Sequence, residues 1–130
     1  MKRTYWLFVV LALVARSAAG EVTRVEVKSR APVGTSGYEK VVGTMYFAIA
    51  PTDSHNKVIA NIEKAAVNGQ GKVEFSSNFF LLRPLEASRA NGVALVEVSN
   101  RGRKGMLTGF NRAPASLDPS SDADLGDGFL

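Results

Sequence analysis

From Glu21 onward the apolar residues fall into short runs, several of them alternating with polar residues, and nearly every run is closed by proline or glycine. That punctuation constrains the fold more than any other feature. Period-two alternation between turn formers specifies strands with one wet face, whereas a long amphipathic helix needs an uninterrupted 3.6-residue repeat. Val25 and Val27 alternate with Arg24, Glu26 and Lys28, and the run stops at Pro32. This predicts a half-buried first strand. Gly34, Ser36 and Gly37 make a loop, and Val41 to Ile49 is β-branched and aromatic enough for a second strand, ended by Pro51. Val58 to Ile62 is a short third candidate.

The run Asn68, Gly69, Gln70, Gly71 is a tight-turn signal. Val73 and Phe75 then alternate with Lys72, Glu74 and Ser76, which predicts a hairpin. Phe79 to Leu82 is apolar at every position, the pattern of a segment covered on both faces, and Pro84 closes it. After the Asn91–Gly92 turn, Val93 to Val98 is broken only by Glu97. It is the best candidate for a central strand, and it ends at Asn100, Arg101 and Gly102. Ser121 followed by Asp124 fits a capping arrangement for a helix starting near residue 121.

The chain must stabilise these elements by apolar burial, because it contains no cysteine. Disulfides, thiolate zinc sites and cysteine nucleophiles are excluded together. The single histidine, His55, excludes a multi-histidine metal site, and the turn-forming run Pro51 to Ser54 before it marks it as a solvated loop residue. The formal charge is +4, but Lys2, Arg3 and Arg16 lie in the leading segment, and the remainder carries 13 basic against 12 acidic residues. A net of +1 supplies no field for gathering phosphates, so nucleic acid is not an expected partner.

The leading segment is itself a pattern. Met1 to Arg3 is basic, Tyr5 to Val14 is apolar, and Ser17, Ala18, Ala19 and Gly20 are small. These are the three parts of an export signal, and the apolar run falls short of the roughly twenty residues that cross a bilayer. Residues 1–20 are therefore expected to be a signal peptide cleaved after Ala19 or Gly20, with no stable membrane anchor. The mature protein is expected in a periplasm or outside the cell.

Chemistry is harder to find. The chain has no Gly-x-Ser-x-Gly elbow, no phosphate-binding glycine loop with Lys and Ser or Thr, and no His-Glu-x-x-His. Asp122, Asp124 and Asp127 lack the glycine position and closing glutamate of a calcium loop, so neither a metal nor another cofactor is expected. The Asn100–Arg101–Gly102 turn has two readings. Its amides stand where a strand end could present them to an oxyanion, and the same turn can be a plain connection.

Four stretches carry a family likeness: Gly71 to Ser76, Phe80 to Pro84, Val96 to Gly102, and Asp124 to Phe129. Together they resemble the opening of a family of large exported bacterial alpha/beta hydrolase domain proteins. The likeness runs from about Glu21 to Leu130, and the Asn-Arg-Gly turn and the Gly-Phe-Leu ending are its most specific portions.

The resemblance implies that residues 21–130 are the β-rich N-terminal part of an incomplete hydrolase domain, an N-terminal β region plus the first strands of the hydrolase sheet. It also implies that the serine, acid and histidine lie beyond residue 130. The parent protein would act on a small-molecule ester or amide, and the amides of Arg101 and Gly102 would be the candidates for its oxyanion loop. The alternative is a secreted β-rich binding module without catalysis. The apolar pair Phe129 and Leu130 adds the expectation of a fragment, because those side chains would need a partner supplied from elsewhere.

Overall fold

The computed structural model describes residues 21–100 and 102–128. The expected signal peptide (residues 1–20), Arg101 and the pair Phe129 and Leu130 lie outside the described residues. The chain is β-rich: an antiparallel sheet in the order β1 (Glu21–Pro32), β2 (Tyr38–Ile49), β3 (Val73–Pro84), followed by one short helix, α1 (Met106–Asn111). Single 3-10 turns at Ile62–Lys64, Ala87–Arg89 and Asp122–Asp124 complete the elements.

The register explains which residues share a face. Val22, Val25 and Val27 lie opposite Phe47, Met45 and Gly43, which in turn face Phe75, Ser77 and Phe79. Register shifts between Val22 and Arg24, and again between Val27 and Ser29, insert an extra residue into β1 at each point. The first bulge keeps Val22 on the same face as Val25, where strict alternation would have turned it away. One face of the sheet is thus apolar, with Phe47 and Phe75 stacked at 5.0 Å. The other carries Arg24, Glu26, Tyr46, Thr44 and Asn78.

Gly43 is built into the apolar face. A Cβ there would meet the Glu26 carbonyl and come within 2.6 and 2.8 Å of two ring atoms of Phe79. The bare glycine is what lets the Phe79 ring lie across the middle strand.

The 102–128 segment docks on the β1–β2 turn. Gly34 donates its amide to the Ser120 carbonyl at 3.2 Å. The Asp122 carboxylate accepts from the Thr35 amide at 2.8 Å and the Thr35 hydroxyl at 2.7 Å. Val33 and Pro119 are fully buried, and Lys40 pairs with Asp118 at 2.7 Å. Val41, Ala48, Ile49, Ile62 and Ala113 extend a small core.

Several expectations are corrected here. Val58 to Ile62 is not a strand but a series of turns, with Ile59 donating to Asn56 and Ile62 to Ile59. Asp53 and Asn56 offer the backbone local partners that compete with a ladder. The Asn68–Gly71 turn forms, since Asn68 Oδ1 accepts from the Gln70 and Lys72 amides, but β3 pairs with β2 across the whole 50–72 connection. Phe79 to Leu82 belongs to an edge strand with Leu81 exposed, and β1 is more exposed than a half-buried strand. Val93 to Val98 is not a strand and has no ladder partner among the described residues. Near residue 121 the capping box of Ser121 and Asp124 is present, yet it starts a 3-10 turn. The α-helix instead occupies Met106–Asn111.

Candidate functional site

The segment from Val93 to Leu117 holds the residues nearest to chemistry. Gly102 sits in an exposed turn at φ 76°, closed by the Arg103 amide donating to the Asn100 carbonyl at 3.4 Å. The positive φ explains the glycine, since other residues are strained there. Apart from its own chain neighbours, no heavy atom among the described residues lies within 4 Å of the position a Gly102 Cβ would take. The turn therefore has free space on its Cβ side.

Directly after it, the Glu97 carboxylate accepts from the Gly105 amide and the Met106 amide, each at 3.0 Å. The first helical donors are capped by a side chain from eight and nine residues upstream, which the helix's own residues do not do. Sequence reasoning missed α1 because six residues with Gly109 inside show no usable period. The signal that could have pointed to it is Glu97, the lone charge in an apolar run.

A depression of about 510 Å³ lies beside this turn, lined by Arg103, Lys104, Gly105, Thr108, Gly109, Ala115 and Leu117. The charge of Lys104 is engaged within the fold: its ammonium donates to the Leu117 carbonyl and lies 3.7 Å from the centroid of the Phe80 ring. A smaller depression, about 350 Å³, opens at the Thr23–Glu74 end of the sheet. There Arg24 lies 3.7 Å over the Tyr46 ring, and the Tyr46 hydroxyl donates to Glu26 at 3.0 Å. That hydroxyl, with some help from the Arg24 charge, holds the Glu26 carboxyl below its ordinary pKa.

The remaining candidates are brought to separate places. His55 pairs through Nδ1 with Asp53 at 3.0 Å in the exposed loop, and the Asp53 carboxyl is lowered by the His55 amide and ring. Asp122 is held by Thr35, Asp124 by Ser120 and Ser121, and Asp127 by Arg112 at 3.2 Å. Among the described residues no cluster of three or more His, Cys, Asp or Glu could hold a metal ion. Likewise, no helix of these residues is long and apolar enough to cross a membrane.

No family model, no curated protein and no solved structure matches this chain.

Proposed function

We infer that residues 21–130 form the non-catalytic, β-rich N-terminal part of an exported serine-type alpha/beta hydrolase acting on an ester or amide. One observation carries the reading: the apolar segment Val93 to Val98 is followed by the glycine turn at Gly102 and then by α1. In alpha/beta folds a glycine turn ahead of a helix is where backbone amides are delivered to a reacting oxygen. The family likeness of the Asn100–Arg101–Gly102 stretch supports the same assignment, with the Arg101 and Gly102 amides as its oxyanion donors. The nucleophile, acid and histidine belong to sequence beyond residue 130, and the substrate is a small-molecule ester or amide.

The test is the full-length gene product. It should contain a Gly-x-Ser-x-Gly elbow with a later acid and histidine, and it should turn over an activated ester until a serine-directed inhibitor is added. Gly102→Pro removes the Gly102 amide and, because proline cannot adopt the φ of 76°, also the turn that presents it, so kcat should fall by at least about 10²-fold. A product without the elbow, or a Gly102→Pro variant with unchanged kcat, defeats the respective claim.

The Phe47–Phe75 stack, in which Phe75 is exposed, favours a second reading, a secreted binding module that uses its apolar sheet face. A product lacking inhibitor-sensitive esterase activity would bring that reading forward.

A further inference from the structure

The apolar face of the sheet stays half-exposed while the rest of the described chain packs elsewhere. Segment 102–128 lies against the opposite face, where Lys104 sits over the Phe80 ring and Asp118 reaches Lys40. On the apolar face Val22, Val25, Val27, Phe75 and Leu81 are between 44% and 53% exposed. Phe75 and Leu81 are six residues apart on β3, so this apolar run is about 20 Å long. A contiguous exposed patch of this kind marks a binding surface.

The chemistry of its occupant can be read from the charges. Among the ladder-paired residues of this face the charged ones are Arg30, Glu39 and Arg83, one from each strand and all toward the β1–β2 turn. Glu39 is buried, and Arg83 engages it, with Nε and Nη2 each 2.6 Å from Oε1. Arg30 is held off: its Nη1 lies 3.9 Å from the same oxygen, beyond hydrogen-bond reach. Two guanidiniums against one carboxylate leave a charge of +1. Arg30 carries it, with a half-exposed side chain that makes no hydrogen bond among the described residues. The face thus has one cationic end and a long uncharged apolar body.

That polarity is complementary to a molecule with one anionic head and a straight apolar tail. A second copy laid on this face would set arginine against arginine or leave Arg30 against apolar residues. A bilayer also fits worse. Behind the Phe75 end lie the Arg24–Glu26 and Lys72–Glu21 ion pairs, at 3.1 and 2.7 Å, which tilting into lipid would strip of water, and one spare charge gives little attraction to an anionic surface. We propose that this face binds an anionic single-chain amphiphile, its carboxylate head on the Arg30 guanidinium and its alkyl tail along the run to Phe75. The guanidinium fork matches a carboxylate through two parallel hydrogen bonds. The proposal names the ligand for the binding-module reading and rests on that reading's use of the sheet face; it does not require the absence of catalysis.

Calorimetric titration of dodecanoate, kept below its micelle concentration, into the full-length gene product tests this. Decanoate should bind about fourfold more weakly, because a flat face takes up about half the surface of each methylene. Dodecyltrimethylammonium, with the same tail and the opposite charge, should bind at least about tenfold more weakly than dodecanoate. Arg30→Gln should weaken dodecanoate about tenfold, the loss of one charge-assisted contact. Phe75→Ser should weaken dodecanoate and the neutral dye Nile red together. Dodecanoate binding that is unchanged in both variants places the ligand elsewhere in the protein and overturns the proposal. Equal binding of the cationic and anionic amphiphiles, lost in Phe75→Ser, overturns it too but leaves the binding-module reading standing. Nile red binding that survives Phe75→Ser, with no dodecanoate bound, sinks both. Binding to phosphatidylglycerol vesicles without binding of dissolved dodecanoate, or dodecanoate sites that vanish as the protein dimerises, assigns the face to a bilayer or to a second copy and overturns the proposal. The comparison of head groups and tail lengths uses the wild-type protein and needs no variant to fold.

Discussion

Gly43 and Asp122 show how single residues set the packing. At Gly43 an added methyl would collide with the Glu26 carbonyl and the Phe79 ring at once. Backbone cannot move aside as a flexible side-chain tip can, so Gly43→Ala should destabilise the sheet by about 1–3 kcal/mol, read as a lower denaturant midpoint. Asp122 joins residues far apart in sequence through both oxygens of its carboxylate. The Thr35 hydroxyl and amide hold that carboxyl below its ordinary 3.8. A carboxyl lowered by folding stabilises the docked segment above its unfolded value, and the contribution is lost as pH falls through the lower folded value. Protection of the Gly34 and Thr35 amides, taken relative to the unfolded chain at the same pH, should therefore fall on acidification below about pH 4. Asp122→Asn should flatten that dependence; an unchanged acid limb in the variant would show that the latch is not this carboxylate.

At the scale of elements, α1 depends on a residue outside itself. Removing an N-terminal capping side chain costs about 0.5–2 kcal/mol. Glu97→Ala should accordingly speed exchange of the Gly105 and Met106 amides while leaving the β2–β3 ladder slow. Equal loss of protection in both places would mean that α1 and the sheet open as one unit. The strand pattern was legible for β1, β2 and β3 because alternation and proline ends are local properties. Val58 to Ile62 misled because short apolar runs carry no fixed period, and asparagine and aspartate nearby stabilise turns instead. The turn at Asn68–Gly71 was legible as a turn, but not what it joins, since pairing partners lie across the 50–72 connection.

At the scale of the molecule, the described residues leave Val22, Val25, Val27, Phe75 and Leu81 exposed on one sheet face. Contiguous apolar surface and open strand edges promote association. The isolated chain, prepared from residue 21, should bind a hydrophobic dye, associate with rising concentration and unfold without a sharp transition. Phe75→Lys should reduce dye binding, because it places a charge on that face. A monomer with a cooperative thermal transition would contradict this expectation. Secreted material should begin at Gly20 or Glu21, and N-terminal sequencing that returned Met1 would refute the cleavage.

The amino-acid sequence by itself determined where β1, β2 and β3 stop, that no cysteine chemistry takes part, and that Ser121 and Asp124 form a capping box. All three depend on residue type or on neighbours within a few positions. Tertiary structure decided the rest. Two bulges chose which side of β1 faces with β2, Asp122 found Thr35 across most of the chain, and Glu97 was drawn to the start of α1. Each of these is a contact between groups distant in sequence, and no local pattern encodes it. The Val93–Val98 run shows the division most plainly: its apolar residues read as a strand, but a strand forms only when others pair with it, and pairing is a property of the assembled sheet.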